Sequence, residues 1–284
     1  MKYAYYPGCS VETSARMYEA SLRRVLQRLD VELEELEDWN CCGASSAHSM
    51  EPAVAAGLAA RNLGLAEKTG LDVVTPCASC FFRLRAAEHS MRDPEMREHV
   101  NGALPVPYEG RVKILNLVEV LLRALEAIRE PPAVRRRLPG FRPVCYYGCL
   151  FVRAHGDLAY DDPEYPTAME RILRFAGIEA LDWGGKIDCC GAASAVTAPE
   201  TARRLQGRIL DDARGRGATA VVTACPMCQI NLDMGQQGDE RPLPVFFLTQ
   251  VLGLAWGFGE DDMEVERLLA PPDVVSAVLA QGSR

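Results

Sequence analysis

The chain has 284 residues, 48 % of them hydrophobic and 25 % charged, with a formal net charge of −8. That length admits two modest domains or one large one, and the composition is that of an ordinary globular protein. The acidic balance excludes nucleic acid as the main partner, since phosphate binding needs a basic face.

In chain order, the opening MKYAYYPGCS carries no apolar signal core, so the expected compartment is the reducing cytoplasm. KYAYY predicts a short strand ending at Pro7, Gly8 and Cys9. SARMYEASLRRVLQRL places Met17, Leu22, Val25, Leu26 and Leu29 at helical spacing. VELEELEDW alternates like a strand and runs into Cys41, Cys42 and Gly43. The alanine-rich PAVAAGLAARNLGLAEKTG predicts a helix with Pro52 at its start and Gly70 at its end. LDVVT predicts a buried strand that delivers Cys77 and Cys80, and RVKIL with NLVEVLLRALEAI adds a strand and a helix. Residues 129–143, rich in proline and arginine, predict a linker. PVCYYGC opens a second half with another strand, and 243–258 predicts a core strand plus helix rather than a membrane contact. The expected organisation is a domain over 1–130, a second over 143–258 and a tail over 259–284.

The 11 cysteines are ordered as a repeat. Cys9 is followed after 31 residues by Cys41 and Cys42, then after 34 by Cys77 and Cys80. Cys149 is followed after 39 residues by Cys189 and Cys190, then after 34 by Cys225 and Cys228, leaving only Cys145 over. YYPGC answers YYGC, CCGASSA answers CCGAASA, and VVTPCASC answers VVTACPMC. The alternation of strands and helices predicts an α/β fold of two tandem, doubly wound (Rossmann- or flavodoxin-like) parallel-sheet domains. Ligands in such folds gather at the carboxyl ends of the strands. Every repeated cysteine falls there, with Gly8, Gly43, Gly148 and Gly191 allowing close backbone approach.

Five cysteines per half is an odd number, and vicinal cysteines rarely bridge outward to two partners, so disulfides fit poorly. A structural zinc ion takes four ligands, and a fifth thiolate beside an adjacent pair does not suit one tetrahedron. An iron–sulfur cluster has several irons with separate coordination positions and accommodates the set.

The pattern Cys-x31–39-Cys-Cys-Gly-x33-Cys-x-x-Cys, present twice, resembles the CCG-domain family, above all the B-type iron–sulfur subunits of heterodisulfide reductase. The resemblance implies two noncubane [4Fe–4S] clusters, one on Cys9, Cys41, Cys42, Cys77 and Cys80, the other on Cys149, Cys189, Cys190, Cys225 and Cys228. It implies a catalytic subunit that reduces a disulfide held between the clusters, or oxidises thiols in reverse. The substrate stays open between methanogen coenzymes and carrier-bound sulfur. The ferredoxin run C-x2-C-x2-C-x3-C-P and a G-x-G-x-x-G fingerprint are absent. The resemblance therefore implies a ferredoxin-like [4Fe–4S] subunit, served by a flavoprotein subunit, as electron source. The alternative is a relay subunit of a succinate-, lactate- or quinone-linked complex.

Other residues carry weaker expectations. Cys145 reads as a buried, inert thiol. His48, whose repeat partner is Val196, and His155 read as loop histidines with a proton-donor alternative. His89 and His99 read as surface. Ser46 and Ser194 read as capping residues or donors to cluster sulfurs. Lys186 and Arg153 read as exposed bases near the second motif. Tyr5 and Tyr6, echoed by Tyr146 and Tyr147, are expected beneath the clusters, and 155–166 as an inserted lip.

Overall fold

The computed structural model describes residues 1–44, 47–153 and 160–280, apart from the side chain of His48. In the first half, β1 (Lys2–Tyr5), β2 (Glu32–Glu35), β3 (Val73–Thr75) and β4 (Ile114–Asn116) form a parallel sheet in the order β2-β1-β3-β4. Consecutive residues of β3 and β4 are all buried, so helices cover both faces of the sheet. The chain leaves β1 on one side for β2 and returns on the other for β3. This makes the carboxyl ends of β1 and β3 a topological switch point, where such folds bind their ligands.

The helices are α1 (Cys9–Glu12), α2 (Arg16–Arg28), α3 (Ala47–Met50), α4 (Pro52–Thr69), α5 (Ala78–Ser90), α6 (Pro94–Ala103) and α7 (Leu117–Ala127). The apolar stripe expected on α2 is the buried one, with Met17, Leu22, Val25 and Leu26 in the core. Helix α4 starts at Pro52, where Glu51 accepts from the Ala53 N–H, and ends at Gly70, whose left-handed φ of 69° closes the helix.

The second half repeats the plan. Strands β5 (Pro143–Tyr146), β6 (Ala220–Thr223) and β7 (Val245–Phe247) pair in parallel. The place of β2 is taken by a single parallel bridge from Val144 to Leu181. Helices α8 (Gly148–Val152), α9 (Ala168–Phe175), α10 (Pro199–Gly215), α11 (Pro226–Met234), α12 (Leu248–Ala255) and α13 (Pro272–Ala280) follow. Residues 243–258 form β7 and α12, whose side chains are all buried in the core. Among the described residues no helix is long and apolar enough to cross a membrane.

The halves meet about a local twofold relation. Helix α2 packs on α12 and, reciprocally, α9 on α7; α1 meets α11 and α8 meets α5. Tyr18 of α2 stacks on Phe247 with ring centroids 4.0 Å apart and an interplanar angle of 4°. Its hydroxyl donates to the Ala224 carbonyl at 2.8 Å, and Ser21 Oγ lies 2.7 Å from Thr249 Oγ1. Arg171 of α9 is paired with Glu126 of α7.

The segment between the halves is tied to the second one. Arg135 and Arg136 both donate their N–H to the Ala255 carbonyl at the end of α12, and Phe141 packs edge-on against Phe246. The C-terminal residues also join the core, burying Met263, Val265, Leu268, Val275 and Leu279. Asp233 of α11 holds them: its Oδ2 accepts from Leu269 N at 2.8 Å and from Gln229 Nε2 at 3.0 Å, while Oδ1 is buried without a partner.

Tyr18→Phe keeps the stack on Phe247 but strips the Ala224 carbonyl of its donor, and should cost about 1–3 kcal/mol in denaturant unfolding. Burial pushes the Asp233 carboxyl up to about 6. The folded state then holds a proton that the unfolded state has released above its usual carboxylate range. Stability from this group is present at low pH and is lost as pH rises from about 4 to about 6, by roughly 2–3 kcal/mol. Asp233→Asn should flatten that part of the stability–pH curve relative to the wild type.

Candidate metal centre

Each half gathers its five repeated cysteines at the carboxyl edge of its sheet. Cys9 follows β1, Cys42 follows the turn after β2, and Cys77 caps the start of α5 directly after β3. In the first set Cys9 and Cys41 share a hydrogen bond, Cys42 and Cys80 lie 3.4 Å apart, and Cys80 in turn contacts Cys77. The second set repeats this, with Cys149 on Cys189, Cys190 3.6 Å from Cys228, and Cys225 on Cys228. Exposure repeats as well. Cys9, Cys41 and Cys189 are exposed and Cys149 half-buried, whereas Cys42, Cys77, Cys80, Cys190, Cys225 and Cys228 are buried. Each set therefore has two sulfurs at its mouth and three in depth.

The deep ends touch. The thiols of Cys77 and Cys225 interact with each other across the twofold relation, so the two sets form one continuous sulfur-lined region. Beside them Ser10 Oγ donates to Met227 Sδ at 3.3 Å, joining the turn after Cys9 to the loop between Cys225 and Cys228.

Tyr6 and Tyr146 form the floors. The Tyr6 hydroxyl donates to the Asn40 carbonyl at 2.9 Å, and that of Tyr146 to the Asp188 carbonyl at 2.5 Å, each fixing the residue before a Cys-Cys pair. This corrects the sequence pairing of Tyr5–Tyr6 with Tyr146–Tyr147. Counted from Cys9 and Cys149, Tyr6 matches Tyr146, Tyr147 takes the place of Pro7, and Cys145 that of Tyr5. Two buried asparagines that the sequence did not single out hold the same loops. Asn62 of α4 accepts from Asn40 N and donates to Asn40 O, both at 2.9 Å, and Asn231 of α11 donates to the Cys190 carbonyl at 2.6 Å. Their only signal in the sequence is an amide on the apolar face of a helix.

Several thiols are prepared for ionisation. Hydrogen bonds from Cys80 and the Ala44 N–H bring Cys42 down to about 7 against its burial. Bonds from Cys149 and the Gly191 N–H bring Cys189 down to about 6. Cys225 is held low by Cys228, Cys77 and two backbone amides. Thiolate is the form that binds metal, so these sets suit a cation-rich group. Among the described residues no three His, Cys, Asp or Glu side chains close around a single ion. The sulfurs stand in pairs instead, and five soft donors per set fit the several coordination positions of an iron–sulfur cluster.

Cys145 is fully buried in β5 outside both sets, and burial pushes its thiol up. His155, Ser46 and the side chain of His48 lie outside the described residues. His89, His99 and Arg153 are exposed, and Ser194 ends a short 3-10 turn. Lys186 corrects the reading of an exposed base. It is 3 % exposed and its Nζ reaches Glu170 at 2.7 Å, the Pro166 carbonyl at 3.2 Å and the face of Tyr165. Glu170 also accepts from the Tyr147 hydroxyl. Within 155–166, Tyr160 sets its ring edge-on to Phe81, the residue after Cys80.

Gly8 and Gly148 test the closeness of backbone and sulfur. Both have positive φ, 74° and 68°, and an added Cβ would stand 2.7 Å from Cys80 Sγ or 2.9 Å from Cys228 Sγ. Gly8→Ala should displace Cys80 and lower the protein's capacity for iron in anaerobic reconstitution, along with a stability loss of about 1–3 kcal/mol. Gly70→Ala, where nothing lies within 4 Å, serves as the strained but distant control.

Comparison with known proteins agrees with this geometry. The family model for CCG, a cysteine-rich domain, matches twice, over residues 3–85 and 144–233. The chain is 30 % identical to the 8-methylmenaquinol:fumarate reductase membrane anchor subunit of Wolinella succinogenes, covering 90 % of this chain and 92 % of that protein. It is 28 % identical to the B-type subunit of the ferredoxin/F(420)H(2)-dependent CoB-CoM heterodisulfide reductase of Methanosarcina acetivorans, covering 94 % and 93 %. A crystal structure of a hypothetical protein from Helicobacter pylori shares the fold, with a TM-score of 0.73 and 12 % identity over 93 % of this chain. The present chain spans about half of that one, 51 %. With the motif and the sheet order present in both halves, the chain belongs to the CCG cysteine-rich domain family.

Proposed function

We propose that the chain is the catalytic iron–sulfur subunit of a heterodisulfide reductase-like complex. In this reading Cys9, Cys41, Cys42, Cys77 and Cys80 hold one noncubane [4Fe–4S] cluster, and Cys149, Cys189, Cys190, Cys225 and Cys228 hold the other. The observation that carries it is the joining of two complete five-sulfur sets through Cys77 and Cys225. Reduction of a disulfide takes two electrons and two protons and yields two thiols. Bound clusters would supply one electron each, which is the chemistry that two adjoining sites suit. The chain's own part is to hold ten sulfurs in fixed positions, with the Asn40 and Asp188 carbonyls anchored by Tyr6 and Tyr146. The electron source in this reading is a ferredoxin-like [4Fe–4S] subunit fed by a flavoprotein, and the substrate is a small disulfide or carrier-bound sulfur.

A second reading is favoured by the likeness to the membrane anchor subunit named above. There the clusters only relay electrons within a quinone-linked complex. Thiol response separates the two. Anaerobically purified protein should carry about eight irons and as much acid-labile sulfide. Under the first reading, oxidation in the presence of thiol gives a paramagnetic signal that changes with the thiol. Eight irons without a thiol response support the relay, and zinc in place of iron refutes both. Cys80→Ser and Cys228→Ser should each disturb one cluster, taking the iron content toward about four.

A further inference from the structure

Among the described residues, cations held partly out of water are paired, with one exception. Arg24, Arg61, Arg85, Arg136, Lys186 and Arg214 are buried or half-buried, and each is paired with a carboxylate. Arg83 of α5 is also half-buried, yet among the described residues it has neither an ion pair nor a hydrogen bond. Its guanidinium carbon stands 5.3 Å from the centre of the Phe82 ring, a contact that orients the group without neutralising it. Burial pulls this guanidinium below its usual value, and no carboxylate offsets the cost.

Arg83 lines a cavity of about 160 Å³ between α4 and α5. The other walls are Pro52, Ala55 and Ala56 of α4 and Ala86, Ala87 and Ser90 of α5, so Arg83 brings the only charge. Residues 83, 86, 87 and 90 share one face of α5, and the alanines on both sides leave the space open. Helix α4, 18 residues long, begins at Pro52, which sets the cavity at the positive end of its dipole. The Glu51 carboxylate there accepts from the Ala53 N–H and is not one of the walls. Cys80 lies one turn before Arg83 on α5, with about 5–6 Å between Cβ atoms at that spacing. The second half has no such group. Counted from Cys80 and Cys228, the place of Arg83 is taken by Asn231, whose amide is spent on the Cys190 carbonyl at 2.6 Å.

We propose that this cavity is a binding site for a small oxyanion, a carboxylate, phosphate or sulfate group held by the Arg83 guanidinium. A guanidinium presents parallel N–H donors that match two oxygens of such a group, and its charge gains the partner it lacks. The volume falls below the ~300 Å³ at which pockets begin to take drug-sized ligands, so the ligand is a small anion or a short anionic tail. It arrives free, or as the tail of a thiol at the neighbouring cysteine set, and the chemistry at Arg83 is the same for both. The site stands independently of what the cysteines hold.

The test is calorimetric titration of the anaerobically purified full chain with sulfate, phosphate, propionate and 3-mercaptopropionate at matched ionic strength. The same titrations are run on Arg83→Gln and Ala86→Leu. The wild type should bind at least one of these anions, and Arg83→Gln should bind it about tenfold more weakly or worse. Ala86→Leu keeps the charge but fills the space, and should lose binding as well; it carries the test even where Arg83→Gln does not fold. Sulfate and phosphate also act on folded proteins by exclusion from the surface, so the binding that counts is the part the variants lose. Where 3-mercaptopropionate binds more tightly than propionate, and Arg83→Gln removes the difference, the site serves the tail of a thiol. Equal binding assigns it to a free anion. No binding of any of these anions to the wild type, or affinities unchanged in the folded variants, overturns the proposal.

Discussion

The structure depends on bringing two buried sulfurs, Cys77 and Cys225, into contact where two sheets meet. Both cysteines leave a parallel strand for a helix, and both strands are covered on two faces, so neither sulfur can shift without moving a sheet. That rigidity is transmitted outward. Tyr18 reaches from α2 to the carbonyl just before Cys225, and Ser10 reaches from the turn after Cys9 to Met227. Each half thus shapes the other's cysteine loop through groups outside the repeated motif.

The sulfur geometry is repeated, but its setting is not. The second half surrounds its motif with a buried Lys186–Glu170 pair closed by Tyr147, Pro166 and Tyr165. Such a pair costs desolvation, which good geometry and the remaining hydrogen bonds offset. The first half holds a comparable Glu19–Arg23 pair under Tyr5, closer to solvent. Asn116 ends β4 in one half and caps α7, while the corresponding end of β7 is Phe247, which stacks on Tyr18. Duplication has kept the cysteines and let their surroundings diverge.

Much of this was legible in the sequence. A short β-type run at KYAYY, a helical stripe in SARMYEASLRRVLQRL and the Pro52–Gly70 boundaries are local signals, and the local structure follows them. The cysteine spacing gave the repeat, and the repeat gave the sheets. Long-range effects were not legible. Lys186 looks like a surface base because its partners, Glu170 and Pro166, lie 16 and 20 residues away in the chain. The tyrosine pairing failed because YYPGC and CYYGC look alike as words, whereas the backbone counts from the glycine and shifts one tyrosine by a position. Asn62 and Asn231 carry no motif and declare themselves only when the loops they hold are in place.

The reciprocal packing of α2 on α12 and α9 on α7 has a consequence for how the chain is made. The ribosome delivers the first half complete, with strands, helices and five cysteines, while the apolar faces of α2 and α7 still lack their covers. Helix α9 comes 41 residues after the end of α7, at Ala168, and α12 begins only at Leu248. Contacts of that sequence separation close late. During most of synthesis the nascent first half therefore exposes the flank that later seats Tyr18 on Phe247, and it depends on shielding until β7 and α12 emerge.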